Sequence, residues 1–184
     1  MQITRAWAMP NKWTFTIKPI KEFLKQEVKG GLWVDPFAGL NSPAQVRNDL
    51  NPDMPAEYHM DALEFLRIWN DEHFEGALYD PPYSYRQASE CYQSFGKEKF
   101  TAVVTSMDYW SKCKDEITRI VKPGGKVLCF GWNSMGIGIN RNFKMTKVLL
   151  VPHGGSKNDT ICTVEEKSFE VQGSLEFLNR EGKK

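Results

Sequence analysis

The string GALYDPPY at residues 76–83 is the feature that most constrains how this chain can fold. An apolar run from Ala77 to Tyr79 ends abruptly in an acid and two prolines, which is typical of a buried strand followed by a turn. Functional residues in open α/β sheets lie beyond the carboxyl ends of the strands, so Asp80 would present its carboxylate at that edge. Pro81 and Pro82 would hold the backbone stiff, because their φ angles are fixed and they lack N–H donors.

Tyr83 adds a flat aromatic face next to these acceptors. Oxygen acceptors beside an aromatic ring would suit a planar molecule with an exocyclic amine, such as a nucleobase. An ordinary strand followed by a Pro-Pro turn has the same pattern, so from this string alone both interpretations stay open.

Three further acids occupy comparable positions along the chain. Asp35 follows the short apolar run at residues 32–34, and Asp49 and Asp61 lie in the segments after it. An open sheet brings successive strand ends together, so four acids at strand ends or in the following loops predict one shared site. A carboxylate after the second strand of a nucleotide-binding unit commonly binds ribose hydroxyls, which favours that role for Asp49.

The remaining pattern predicts alternating helices and strands in a single domain. We predict helices over residues 19–28, 41–46, 63–69 and 97–121, and strands over residues 32–34, 127–130, 148–151 and 160–164. The last two strands flank a glycine-rich turn and should form an antiparallel hairpin, in which His153 is expected to be a loop residue. The string KPGG at residues 122–125 should end the long helix. Residues 1–16 show no period that predicts an element.

Composition argues against a membrane or a disulfide-rich protein. No apolar run approaches the roughly 18 residues that cross a bilayer, and residues 1–15 lack the pattern of a secretory signal. The four cysteines are scattered without CxxC or His-rich spacing, which predicts reduced thiols, no metal site and a cytoplasmic location.

Charge is distributed unevenly, although the net charge is only +1. Residues 31–90 carry three Lys or Arg against eleven Asp or Glu, while the flanking segments are basic. An acidic middle fits a pocket for hydroxyls, amines or a cationic ligand, and basic flanks fit phosphates. The flanking charges fit a solvated surface equally well.

Taken together, these motifs resemble those of the S-adenosylmethionine-dependent amino-methyltransferases of DNA. The string DPFAG at residues 35–39 looks like the cofactor motif of that family, and DPPY at residues 80–83 looks like its catalytic motif. DPPY is more typical of methylation at adenine N6 than at cytosine N4. The resemblance covers about residues 19–167. It implies an α/β, Rossmann-like class I methyltransferase fold, with a mixed, mostly parallel seven-stranded sheet and a C-terminal antiparallel hairpin.

The resemblance also implies the roles of individual residues. The catalytic residues would be Asp80, Pro81, Pro82 and Tyr83. The residues binding S-adenosyl-L-methionine would be Ile17, Pro19, Asp35, Pro36, Phe37, Ala38, Gly39, Asp49, Leu50, Asp61, Ala62 and Asp80. The substrate-binding residues would be Tyr83, Ser84, Tyr85, Arg86 and Trp132. Asp49 would bind the ribose hydroxyls and Asp61 the adenine amine, although Asp61 also fits a helix N-cap and Trp132 fits simple packing.

We therefore predict a DNA adenine-N6 methyltransferase of a prokaryotic cytoplasm, encoded by the cell or by a phage, with residues 1–184 as a single catalytic domain. Members of the family that read a DNA sequence usually carry an inserted target-recognition domain, and no segment here is long enough for one. Sequence preference would then be short or relaxed, or would be supplied by a homodimer or a partner chain. The family also usually has a glycine where this chain has Asn41.

Two other functions stay open at this point. One is methylation of an amine in RNA, at adenine N6 or guanine N2. The other is a non-catalytic, cofactor-binding subunit of a larger methyltransferase complex.

Overall fold

The computed structural model describes residues 1–82, 84–94, 107–155 and 157–169. The strands are β1 (Gln2–Arg5), β2 (Trp33–Asp35), β3 (Val46–Arg47), β4 (Phe74–Tyr79), β5 (Val121–Gly131), β6 (Phe143–Val151) and β7 (Thr160–Lys167). The α-helices are α1 (Lys18–Glu27), α2 (Ala62–Arg67), α3 (Tyr85–Ser94) and α4 (Met107–Ile120). Short 3-10 turns lie at Thr14–Thr16 and Ile139–Arg141.

The strands form one seven-stranded sheet in the order β1-β6-β7-β5-β4-β2-β3. Every neighbouring pair is parallel except the two that involve β7, which runs antiparallel to β5 and β6. The prediction of a mixed, mostly parallel seven-stranded sheet with a C-terminal hairpin is confirmed. Since β2, β3, β4 and β5 are parallel, their carboxyl ends meet at one edge of the sheet.

Helices cover both faces of this sheet, which explains why β4 is almost continuously apolar. Ala77 and Tyr79 of β4 pack in a cluster with α2 and α4, whereas Leu78 packs in a second cluster with α1. The alternation follows from the two-residue period of a strand. The helices predicted over residues 19–28 and 63–69 are confirmed as α1 and α2, and α4 confirms the described part of the helix predicted over residues 97–121.

The N-terminal segment is an edge strand that the sequence did not reveal. After β1, the amide of Ala6 donates to the carbonyl of Leu150 and that of Ala8 to Pro152, so the segment follows β6 to its end. The buried ring of His153 completes the attachment, with Nδ1 donating to the Ala8 carbonyl and Nε2 bonded to Thr160 Oγ1, both at 2.8 Å. All four residues of β1 are exposed, so no apolar alternation marks the strand.

Two predictions of local structure are wrong. Residues 41–45 form turns and irregular backbone instead of a helix, because the polar side chains there bond to β2: Ser42 Oγ donates to Asp35, and Gln45 Oε1 accepts from the Trp33 amide. The KPGG string does not end α4, which stops at Ile120. It lies inside β5, where the pairing with β4 jumps from Phe74↔Val121 to Gly76↔Lys126.

No helix in the described part of the chain is long and apolar enough to span a bilayer. Three cysteines, Cys113, Cys129 and Cys162, are buried free thiols. The side chain of Cys91 lies outside the described residues.

Glu165 of β7 is a buried acid that holds the segment connecting β5 to β6. Its carboxylate accepts from the amide of Ile137 at 2.5 Å and from that of Gly138 at 3.1 Å. Gly136 has a φ of +55°, and a Cβ added there would overlap with the Glu165 carboxylate. Only glycine meets both demands.

We predict that Gly136→Ala destabilises the protein more than Gly30→Ala does. Gly30 has a similar φ of +63° with no atom within 4 Å of an added Cβ, so this variant reports backbone strain alone, about 1–2 kcal/mol. Gly136→Ala adds the overlap with Glu165, which we expect to cost about 1–3 kcal/mol more. Urea unfolding of the two variants measures the difference. Equal losses would contradict the close packing of this loop on Glu165.

Candidate active site

Four acids gather at the carboxyl edge of the parallel strands. Asp35 is the last residue of β2, Asp49 follows β3 by two residues, and Asp80 directly follows β4. Asp61 lies just before α2, in the segment that follows a parallel bridge between Asn48 and Tyr58. The edge of the sheet therefore brings together the four carboxylates that the sequence predicted to share a site.

Asp49, Asp61 and Asp80 line a cavity of about 500 Å³ at this edge, whereas Asp35 lies behind its wall. The predicted residues that line it are Pro36, Phe37, Ala38, Gly39, Asp49, Leu50, Asp61, Ala62, Asp80, Pro81 and Pro82. The other lining residues are Lys12, Trp13, Thr14, Phe15, Leu40, Asn41, Asn48, Met60, Gln87, Glu90, Tyr109 and Trp110. A concave, largely apolar site with a few polar groups is the usual form of a small-molecule site.

Asp35 builds the loop that forms one wall of this cavity. It is fully buried, and its carboxylate accepts from the Phe37 amide at 2.9 Å and from Ser42 Oγ at 2.6 Å. Burial raises the pKa of Asp35 to about 7, with a further contribution from the charges of Asp80 and Asp49. Asp35 does not line the cavity, so its carboxylate acts on the loop at residues 36–42.

Asn48 holds the same loop from the other side. Its side-chain amide donates to the carbonyls of Pro36 and Met60 at 3.1 and 3.0 Å, and its Oδ1 accepts from the Met60 amide. The Asn48 backbone also bonds to Asp35 and Ala38. One buried amide therefore ties together three chain segments at the cavity.

Asp49 keeps free acceptor capacity within the cavity wall. Its Oδ2 accepts from the Gly39 amide and its Oδ1 from the Asn51 amide, both at 2.8 Å. Burial raises the pKa of Asp49, while these two bonds oppose the rise. A carboxylate offers about four acceptor positions, so about two remain for a ligand's hydroxyl groups.

Asp61 is both a helix cap and a cavity residue. Its Oδ1 accepts from the amides of Leu63 and Glu64 at the start of α2, and its Oδ2 accepts from the Tyr109 hydroxyl at 2.8 Å. Burial raises the pKa of Tyr109, which keeps its hydroxyl protonated as the donor. By the same count of acceptor positions, about one remains on Asp61 for a ligand N–H.

The N-terminal segment supplies an aromatic and a basic residue to the cavity. Trp13 precedes the 3-10 turn, and its ring lies 3.5 Å from where a Cβ on Gly39 would stand. Lys12 Nζ is 4.8 Å from the centre of the Trp13 ring, within cation–π range. An ammonium and an indole thus face the loop at residues 36–39.

A second, smaller cavity of about 200 Å³ adjoins the first. The two share Pro81, Pro82 and Trp110 in their walls. The other residues of the small cavity are Tyr79, Lys114, Cys129, Phe130, Gly131, Trp132, Asn133 and Gly136. The Pro-Pro segment after Asp80 therefore borders both cavities.

Aromatic contacts fix the partition between the cavities. The ring of Phe37 lies 5.8 Å from that of Tyr79 and 5.9 Å from that of Trp110, in tilted or edge-on arrangements. Lys114 Nζ donates to the Gly136 carbonyl at 2.6 Å and thereby closes the far wall of the small cavity. Such packed aromatic pairs favour a rigid wall.

Several predicted site residues lie elsewhere or outside the described residues. Ile17 is buried in the core around α1, Pro19 is in the first turn of that helix, and neither lines the large cavity. Ser84 Oγ accepts from the Gln87 amide, and Arg86 is exposed and paired with Glu90. Tyr83 and the side chain of Tyr85 lie outside the described residues. Trp132 lines the small cavity.

The cavity residues that sequence reasoning missed gave little local signal. Lys12 and Trp13 lie in an irregular segment whose position depends on the distant strand β6. Tyr109 and Trp110 are aromatic residues near the start of a long helix, where they are typical of core packing. Tyr109 could be recognised only once Asp61 was known to lie opposite.

Comparisons with known proteins agree with the fold. No family model and no curated protein matches the sequence. Among solved structures, the 1,6-didemethyltoxoflavin-N1-methyltransferase of Burkholderia thailandensis, with bound 1,6-didemethyltoxoflavin and S-adenosylhomocysteine, is similar with a TM-score of 0.54 at 11% identity, covering 80% of this chain and 76% of that one.

Two further structures give the same result. The N-methyltransferase NodS of Bradyrhizobium japonicum WM9 has a TM-score of 0.55 at 9% identity, covering 82% of this chain and 95% of its own. A SAM-dependent methyltransferase of Methanosarcina mazei has a TM-score of 0.52 at 11% identity, covering 80% and 98%. The chain thus has the Rossmann-like fold of class I methyltransferases.

We predict that Asp35 makes the protein less stable as pH rises. The folded state keeps a proton on this carboxyl up to a pKa of about 7, whereas the unfolded chain loses it near 3.8. Its contribution to the free energy of unfolding should therefore fall between about pH 4 and pH 7 and stay constant above that range. Asp35→Asn removes the charge, while its Oδ1 can still accept from the Phe37 amide and its Nδ2 can donate to Ser42 Oγ.

Urea unfolding at pH 4.5 and pH 8 tests this prediction. The variant should gain about 2–4 kcal/mol relative to the wild type between the two pH values, since each pKa unit corresponds to about 1.4 kcal/mol. A constant difference between the two proteins across this range would refute it.

Proposed function

We propose that this chain is an S-adenosylmethionine-dependent methyltransferase that methylates an exocyclic amine of a nucleobase, with adenine N6 in DNA as the leading target. One observation carries the proposal: the Pro81-Pro82 segment after Asp80 borders both a large cavity, which Asp49, Asp61 and Asp80 line, and a small cavity, which Trp110 and Trp132 line. A transferase must place its cofactor and its acceptor on either side of such a point.

The large cavity fits the cofactor by the chemistry of its walls. About two acceptor positions remain on Asp49 for the two ribose hydroxyls, and about one on Asp61 for the adenine amine. Lys12 offers an ammonium to a carboxylate at the other end of the ligand. When bound, S-adenosylmethionine supplies an activated methyl group on a sulfonium sulfur. The fold and the S-adenosylhomocysteine bound in the Burkholderia enzyme support this assignment.

The structure changes which N-terminal residues we assign to the cofactor. The segment around Ile17 and Pro19 stays the predicted region, but the side chains that reach the cavity come from Lys12 to Phe15. Ile17 and Pro19 act by placing this segment, since Ile17 is buried against α1 and Pro19 is in its first turn. Asp35 likewise acts by placing the loop at residues 36–39.

The small cavity is the proposed site of the target base. Trp110 and Trp132 provide flat faces, and stacking of a base on an aromatic side chain is worth about 1–3 kcal/mol. Tyr83, which follows Pro82 directly, keeps its predicted role of stacking on the base. The small cavity has limited room, which fits a base extruded from its helix.

Asp80 would accept a hydrogen bond from the target amine, and the Pro81 carbonyl would accept another. Both acceptors orient the nitrogen lone pair towards the large cavity, and Asp80 or water removes the proton released on methylation. Pro81 and Pro82 have no N–H, so neither proline can donate to the amine nitrogen and compete for its lone pair. The reaction needs no nucleophile from the protein, so it requires no thiolate from the buried cysteines.

The choice of DNA rests on the resemblance of the DPPY string to adenine-N6 enzymes. Methylation of adenine N6 or guanine N2 in RNA uses related acceptors and is the second candidate. Because the sequence predicts a single catalytic domain over residues 1–184, we infer that the preferred sequence is short or is supplied by a second copy or a partner chain. Mass spectrometry of nucleosides from DNA, rRNA and tRNA incubated with the protein and S-adenosylmethionine separates the candidates. Absence of any methylated base with cofactor binding intact would favour a non-catalytic subunit.

We predict that Asp49→Asn weakens the binding of S-adenosylmethionine by about 10–100-fold, because hydrogen bonds to a charged acceptor contribute about 1.5–3 kcal/mol. Calorimetric titration measures the affinity. Asp53→Asn, at an exposed position four residues further along the loop, is the matched control and should bind as the wild type does. If Asp49→Asn bound S-adenosylmethionine with wild-type affinity, Asp49 would not be the residue that binds the ribose hydroxyls.

We predict that Asp80→Ala reduces methyl transfer by at least about 100-fold while cofactor affinity stays within a few-fold of the wild type. The loss follows because the amine would no longer be oriented by a charged acceptor. Labelled-methyl transfer and calorimetry on the same preparation measure the two effects. Complete loss of cofactor binding in this variant would contradict the division of roles between Asp80 and Asp49.

A further inference from the structure

The segment at residues 132–142, which we call the β5–β6 loop, has a fixed backbone and an exposed apolar tip. Glu165 accepts from the amides of Ile137 and Gly138, and Lys114 donates to the carbonyl of Gly136. Asn133 Oδ1 also accepts from the Met135 amide at 3.0 Å. The side chain of Met135 is nevertheless 70% exposed.

Met135 does not itself line the small cavity, but it lies along the chain between residues that do. Asn133 and Gly136, on either side of it along the chain, both line that cavity, as does Trp132. A long apolar side chain held in water on an ordered backbone gains nothing for the folded state. The free energy of burying this apolar surface is released only when a ligand covers it, so a preorganised apolar group at the mouth of a site can contribute to binding.

Extruding a base from a duplex costs free energy, which contacts at the gap left in the base stack can offset. Unstacking and unpairing the base cost a few kcal/mol, and the extruded base leaves a gap in the stack. Proteins that distort DNA often place an apolar side chain, methionine among them, between bases at such a point. The required side chain must stand beside the pocket that receives the base, as Met135 does.

We propose that Met135 is a wedge that enters a DNA duplex beside the target adenine and stabilises the extruded state. The inference rests on the proposed function and adds a duplex substrate and a residue that selects it. Trp132 and the Pro-Pro segment hold the extruded base, whereas Met135 contacts the stack that the base has left. The fixed backbone of the β5–β6 loop keeps these two positions at a set distance.

The test compares three DNA substrates with one target adenine each: a paired duplex, a duplex with an abasic site opposite the target, and a single strand. Met135→Ala should lower kcat/KM on the paired duplex by about tenfold or more, because only there must pairing and stacking be broken. On the other two substrates it should stay within about twofold of the wild type, since those bases are easily extruded. Met135→Leu should restore most of the activity on the paired duplex.

A second readout follows extrusion without chemistry. With 2-aminopurine at the target position and S-adenosylhomocysteine present, the wild type should raise the fluorescence of the duplex, and Met135→Ala should raise it less. Ile68→Ala is the matched control: Ile68 is also an exposed apolar residue, 54% accessible, at the end of α2 and outside both cavities. It should behave as the wild type on all substrates.

The outcomes separate this inference from the proposed function. Equal loss on all three substrates, or no loss on any, would overturn the wedge while leaving the methyltransferase intact. Methylation of RNA alone by the wild type would also overturn it. No transfer by the wild type to any nucleic acid would reject the proposed function itself, and with it the wedge.

Discussion

The large cavity depends on the hydrogen bonds that the buried side chain of Asp35 accepts. Asp35 ends β2 and bonds to the next turn and to Ser42, so the chain passes from β2 to its parallel neighbour β3 without a helix between them. The loop at residues 36–39 can then line the cavity, and the hydrogen bond from the Gly39 amide to Asp49 fixes its position. A buried carboxylate is costly unless its oxygens are hydrogen-bonded, so this loop has little freedom to rearrange.

Helix α4 links the two cavities into one site. Tyr109 bonds to Asp61 in the large cavity, Trp110 lines both, and Lys114 closes the small one through the Gly136 carbonyl. Because these side chains project from adjacent turns of one helix, the cavities keep a constant relative position.

The sequence predicted the parts of the site that depend on strand ends and failed where a distant contact decides. The four acids could be located because apolar runs end before Asp35 and Asp80, and parallel strands end at one edge. The helix predicted over residues 41–46 fails because Ser42 and Gln45 bond to β2, a preference that local propensity does not include. The role of Glu165 could not be predicted from the sequence either, since it accepts hydrogen bonds from backbone amides of a distant segment.

The attachment of the N-terminal segment to β6 has a consequence for the order in which the site forms. Residues 12–15 line the large cavity, but the strand that leads to them is held by residues 147–153, some 145 positions later in the chain. Contacts so distant in sequence form late and slow folding. The cavity wall that residues 12–15 form therefore cannot be completed until β6 and His153 have been synthesised.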